Sequence, residues 1–162
     1  MSRKNLISRA EVNNLVNRLR RAGKKIVFTN GVFDILHRGH IEYLAKAKSC
    51  GDVLIVGLNT DASVRRIKGW QRPIQKQQDR AAILLALKAV DYVVLFGEDT
   101  PDKLIRMVKP DVLVKGADWR LSQIAGADFV RSYGGKVKRV KLSEGHSTSA
   151  IIKKLNTNLA KR

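Results

Sequence analysis

The chain has 162 residues, enough for one domain with a sizeable core and too few for two ordinary ones. Hydrophobic residues make up 44% and charged residues 28%, which excludes a disordered chain, and no apolar run approaches the ~20 residues that span a bilayer. The net charge of +18 attracts polyanions of any kind, yet the basic residues are spread over 1–25, 65–88 and 136–162, and aromatics are only 6%, so a base-stacking nucleic-acid surface is poorly supported.

In chain order, Ser8 and Glu11 have capping-box spacing, and Val12, Leu15, Val16 and Leu19 recur at helical intervals until Gly23. An apolar run at 25–29, a helical stretch at 40–49 and a second apolar run at 53–58 make a βαβ unit. Helical patterns follow at 61–67 and 78–90, then a strand at 92–96. Thr100-Pro101 supplies the N-cap and first residue of a helix ending at Lys109. A strand at 112–115 leads to a helix over 124–133, closed by Gly134-Gly135. Residues 136–142 alternate as a final strand, and 147–159 form the last helix.

No internal repeat, low-complexity stretch or Pro/Gly/Ser-rich linker divides the chain. Five strands alternating with helices predict parallel pairing and a doubly wound α/β fold of one domain. Ligands in such folds bind beyond the carboxyl ends of the strands, where strand order reverses. Two segments fall there: GVFDILHRGH (31–40) and KGADW (115–119). Cys50 is the single cysteine, which excludes an internal disulfide framework, and MSRKNLISRAEV lacks the apolar core of a secretory signal. A reducing cytoplasm is the expected compartment.

His37 and His40 lie three apart where a loop enters a helix. Both can face an anion held by the unpaired amides of a helix N-terminus, and phosphate is the natural anion. As imidazolium groups or as neutral donors they would stabilise charge on a phosphoryl group in transfer. The alternative is a capping turn with one histidine packed and the other solvated. A zinc site would need a third ligand, such as His146 or Asp34, that the spacing does not promise; no metal ligand is assigned.

GVFDILHRGH, GLNTDASVRRIKG (57–69), RPI (72–74), DR (79–80), VDYVV (90–94), EDTP (98–101), DVLVKGADW (111–119) and GADFVRSYGG (126–135) closely resemble the D-glycero-beta-D-manno-heptose 1-phosphate adenylyltransferase family. That family lies within the cytidylyltransferase-like nucleotidyltransferase superfamily, and the similarity runs from about Lys25 to about Lys154. The resemblance reads His37-Arg38-Gly39-His40 as the HxGH signature. It implies a Rossmann-like nucleotidyltransferase domain at 25–162, with the N-terminal helix at 1–24 forming one compact unit with it. The implied reaction is attack of a sugar 1-phosphate on the α-phosphorus of ATP, with Mg²⁺ assisting.

By the same resemblance, His37, His40 and Lys68 are catalytic, and Thr29, Asn30, Gly31, Phe33, Asp34 and Gly39 cradle the nucleotide phosphates. Gly31 would let backbone approach a phosphate closely, while Asn30 reads equally as a turn residue and Lys68 as a solvated surface lysine. Lys115, Gly116, Asp118 and Trp119 would frame the ribose and base; Trp119 has an ordinary core position as its alternative. Ser147 and Thr148 resemble a second phosphate-binding signature, with helix capping as the plainer role. Asn59, Asp61 and Arg72 are implied on the acceptor side.

Departures narrow the expectation. Leu142 stands where cytidylyltransferases of the glycerol-phosphate type carry an arginine, which favours ATP over CTP. The role of His146 is open. A KMSKS-type loop and an anticodon-binding extension are lacking, against an aminoacyl-tRNA synthetase. The chain is too short to contain the sugar kinase fused to many such enzymes, so a separate kinase is expected to supply the acceptor. A homo-oligomer stays open, membrane insertion and specific nucleic-acid binding are not expected, and a polyanion-binding protein on the same scaffold is the rival from another class.

Overall fold

Runs of Val, Ile and Leu that are short and apolar on both sides of the backbone form strands that must be covered twice, and helices cover both faces here. The computed structural model describes residues 5–141 and 148–159. The elements in order are β1 (Leu6–Ile7), α1 (Val12–Arg21), β2 (Ile26–Gly31), α2 (Arg38–Lys48), β3 (Val53–Asn59), α3 (Asp61–Lys68) and α4 (Gln77–Leu85). There follow β4 (Tyr92–Phe96), α5 (Asp102–Val108), β5 (Val112–Gly116), α6 (Ala127–Ser132), β6 (Lys136–Val140) and α7 (Thr148–Leu159). The sheet order is β1-β4-β3-β2-β5-β6, and every neighbouring pair is parallel.

After β2 the chain builds outward through β3 and β4, then returns to place β5 on the other side of β2. The switch point therefore lies between β2 and β5, and a crevice opens beyond their carboxyl ends. The period of two along each strand splits the core. Ile26, Phe28, Ile55, Val94 and Leu113 face α1, α5 and α6, whereas Val27, Leu54, Val56, Val93, Val112 and Val114 face α2 and α4.

The expected five-stranded sheet is corrected to six strands. The extra one, Leu6–Ile7, pairs parallel with Val93 and Val94, and two residues are too few to carry an alternation signal. The Ser8–Glu11 pair does cap, with the Ser8 amide donating to Glu11 Oε2 at 2.9 Å, and it opens a single 3₁₀ turn that runs on into α1. Two helices are shorter than their patterns. The one expected at 78–90 ends at Leu85, and the one at 124–133 is preceded by a 3₁₀ turn and starts at Ala127, with Gly126 at φ 76° as its N-cap. Pro101 is the N-cap of α5 rather than its first residue. Residue 142 of the last expected strand and Ser147 of the last helix lie outside the described residues.

Tyr43 of α2 is buried, and its hydroxyl joins three elements by meeting Thr29 Oγ1 of β2 at 2.7 Å and donating to the Val114 carbonyl of β5 at 3.2 Å. Burial raises its phenol far above the usual range, so it is a neutral donor throughout physiological pH. Removing the hydroxyl would leave Thr29 and Val114 under-satisfied beneath the crevice. Tyr43→Phe is therefore expected to lower unfolding free energy by about 1–2 kcal/mol in a denaturant titration, with an unchanged slope.

Candidate active site

The loop from β2 to α2 occupies the mouth of the crevice. Phe33 adopts φ 44°, a left-handed conformation that is uncommon outside glycine, and its ring lies over Gly31. A Cβ on Gly31 would meet that ring at 2.9 Å, so any larger residue there would have to displace the Phe33 ring. His37 is the N-cap residue of α2, in extended conformation, and its carbonyl accepts from the His40 amide at 2.9 Å. One turn of helix then stacks the two imidazoles, with centroids 3.9 Å apart and planes at 26°. Phe33 meets His40 edge-on at 5.4 Å, and Gly39 is buried between the two histidines in sequence.

This packing decides the charge. Burial and the neighbouring His37 push the His40 imidazole down to about 4, so at neutral pH it is an uncharged ring. Its Nδ1 is buried and has no hydrogen-bond partner among the described residues. An uncharged donor beside the free amides of an 11-residue helix suits an anionic ligand, whose approach would itself favour protonation.

The facing wall comes from the end of β5. Lys115 Nζ donates to Asn30 Oδ1 at 2.8 Å and to the Asn30 carbonyl at 3.1 Å, tying β5 to β2 across the switch point. The same ammonium lies 5.4 Å from the centre of the Trp119 ring. Burial lowers it to about 8, with the Asp118 carboxylate opposing the shift. Asn30, Gly31, Phe33, His40, Lys115 and Trp119 are among the walls of a cleft of about 140 Å³ that Gly116 and Asp118 also line. Trp119 is 44% exposed, so it is a wall of the cleft and not a core residue.

Other expected site residues are engaged elsewhere. Thr29 is 0% exposed and underlies the cleft through Tyr43. Asp34, 1% exposed, accepts from Arg72 Nε at 2.6 Å and from the amides of Ile74 and Gln75 at 2.9 and 2.8 Å. Burial alone would raise its carboxyl, but those two amides and the guanidinium outweigh it and hold the group below the usual carboxylate range. Arg72 is thus tied to Asp34 through its Nε. Asn59 donates to Ser63 Oγ at 2.9 Å, and Asp61 pairs with Arg80 at 2.6 Å.

Lys68 ends α3, is exposed, and precedes Gly69 at φ 92°. Thr148, first residue of α7, donates to the Ile35 carbonyl at 3.2 Å and so sets the start of that helix against the histidine loop. Ser147 and His146 lie outside the described residues. Sequence reasoning assigned no role to Tyr43 or Arg80. A lone tyrosine on an apolar face reads as core, and an arginine in a helical pattern reads as surface charge.

Comparison with known proteins agrees with this geometry. The cytidylyltransferase-like family model matches residues 28–154. The bifunctional protein HldE of Wolinella succinogenes is 54% identical over 154 residues, covering 95% of this chain and 32% of that protein. HldE of Geobacter metallireducens is 59% identical over 133 residues, 82% of this chain and 27% of that protein. The chain thus spans about a third of the length of the curated relatives it matches. Among solved structures, a lipopolysaccharide core biosynthesis protein from Thermoplasma volcanium superposes with a TM-score of 0.60 at 34% identity, covering 76% of this chain and all of that one. Pantoate-beta-alanine ligase from Francisella tularensis, determined with an ATP analogue and beta-alanine, has a TM-score of 0.61 at 19% identity over 89% of this chain and 69% of that one, a likeness of fold alone. A family match that begins inside β2 and ends inside α7 takes in both walls of the cleft, and the chain belongs to the cytidylyltransferase-like family.

Proposed function

We propose that this chain transfers AMP from ATP to a sugar 1-phosphate, D-glycero-beta-D-manno-heptose 1-phosphate, releasing pyrophosphate and ADP-heptose. The observation that carries the reading is the His37–His40 pair stacked at the start of α2, with His40 lining a cleft whose other wall holds a lysine and a tryptophan. An oxygen of the sugar phosphate attacks the α-phosphorus, the bond from that phosphorus to the bridging oxygen of the β-phosphate breaks, and the electron pair leaves with pyrophosphate. No protein nucleophile is needed. His40 and His37 donate to the charge that grows on the α-phosphoryl oxygens.

The remaining roles are those the family resemblance implies. Lys68 on its exposed helix end and Thr148 at the start of α7 contact the outgoing phosphates in this reading, and Ser147 shares that role. Gly116, Asp118 and Trp119 frame the ribose and base. Mg²⁺, when bound, neutralises triphosphate charge. That ion would be carried in by ATP, with Asp118 as a carboxylate at the cleft. No helix among the described residues is long and apolar enough to cross a membrane. The acceptor would come from a sugar kinase, a reading supported by relatives named as bifunctional.

Purified chain given ATP, Mg²⁺ and heptose 1-phosphate is expected to release pyrophosphate, with CTP a poor substitute. A preference for CTP in matched kinetics would overturn the base assignment and keep the reaction class. No transfer with either nucleotide, together with nucleic-acid binding that survives physiological salt, would favour the polyanion-binding rival.

His37→Ala and His40→Ala should each reduce kcat by roughly 10²-fold while KM for ATP changes much less, as for donors used most strongly in the transition state. Steady-state kinetics beside thermal melting would check this. Normal turnover in both variants would remove the histidine pair from the mechanism.

A further inference from the structure

Arg80, in α4, is 1% exposed, and all three nitrogens of its guanidinium are occupied. Nη1 donates to the Val32 carbonyl at 2.6 Å, Nε to the Gln75 carbonyl at 3.0 Å, and Nη2 to Asp61 Oδ1 at 2.6 Å. The three acceptors belong to the turn ahead of the histidines, the segment entering α4, and the first residue of α3. Asp34 makes the reciprocal tie, reaching from the same turn to Arg72, Ile74 and Gln75. Two buried charges of opposite sign thus join the phosphate-side turn to residues 72–75.

Filling space at that helix position does not require a charge. Burial of an ion is costly, and apolar residues of similar volume commonly replace buried pairs without loss of stability. What a guanidinium adds is direction: a planar fork with fixed donor vectors fixes the carbonyls it meets. The carbonyl it holds most closely in this turn is that of Val32. Next in the chain is Phe33, whose left-handed backbone aims its ring at both Gly31 and His40. A displacement of the Val32 carbonyl is therefore passed through Phe33 to the imidazole.

We propose that Arg80 is a positioning residue for the transfer reaction, holding the Val32–Phe33 turn so that His40 keeps its place at the mouth of the cleft. The inference rests on the nucleotidyl-transfer reading for its kinetic consequence, and on the structure alone for its mechanical one.

The test uses the full chain with Arg80→Lys and Arg80→Ala, and with Val16→Ala in α1 as a destabilised control on the opposite face of the sheet. Below the melting range of every variant, kcat in both Arg80 variants should fall about 10²-fold, the scale expected of a 1 Å misplacement, with KM for ATP little changed. Amide hydrogen exchange over residues 31–37 should quicken in both and stay unchanged in Val16→Ala. Guanidinium ion, added below concentrations that shift melting, should restore part of the kcat of Arg80→Ala. Wild-type exchange over 31–37 in both Arg80 variants would overturn the proposal, as would losses in kcat that merely follow melting temperature along the line set by Val16→Ala. If Arg80→Ala does not fold, Arg80→Lys decides the same two measurements. The exchange experiment needs no substrate, so a wild-type chain that releases no pyrophosphate would defeat the reaction reading while the mechanical inference is still decided.

Discussion

The structure depends on the placement of β2 between β3 and β5. Because the chain reverses its direction of growth at that strand, the loops after β2 and β5 have no helix crossing between them, and a crevice opens where they diverge. Everything at the site is a consequence of holding that crevice in shape. Lys115 ties its two sides together through Asn30, and Tyr43 braces it from below through Thr29 and Val114. The Asp34 and Arg80 contacts stitch its outer lip to residues 72–75. These polar groups are paired with one another, which is the condition under which buried polar atoms specify a shape without a large cost in stability.

Charge at the cleft differs from charge over the chain as a whole. The sequence is strongly basic, yet His40 in the cleft wall is held neutral by its own packing, and the Lys115 ammonium is weakened by burial. Much of the remaining charge has a use away from the site. Lys136, Lys138 and Arg139 stand exposed on β6, the edge of the sheet, where basic side chains discourage pairing with another chain. Basic residues also fill the last turns of α1, α2 and α3, where they oppose the helix dipole. The field attracts anions in general; neutral donors fixed at the cleft would discriminate among them.

Sequence made the α/β class, the parallel pairing and the two site loops legible, because hydrophobic period and strand–helix alternation are local signals that the tertiary structure had no reason to overrule. HRGH was legible as a loop-to-helix junction for the same reason. What escaped were features set by distance in the chain. Leu6–Ile7 becomes a strand only because β4 offers an open edge. Asp34 and Arg72 lie 38 positions apart, and each reads as a free site residue until the fold pairs them. Arg80 has no periodic signature at all, since its role is defined by carbonyls on other segments. The charge state of His40 was likewise open in the sequence, where imidazolium and neutral donor fitted equally well, and burial chose between them.

The central claim is that His40 is a desolvated, neutral imidazole placed to meet phosphate. Histidine-selective ¹⁵N NMR across a pH titration, with and without ATP, measures this directly. In the free protein His40 should stay neutral down to about pH 4, well below its ordinary value, because burial and His37 disfavour the charged ring. With ATP bound, the midpoint should move upward, since the triphosphate stabilises the protonated form and protonation in turn favours the anion. A His40 midpoint close to the ordinary histidine value of about 6.5, unchanged by ATP, would contradict the account.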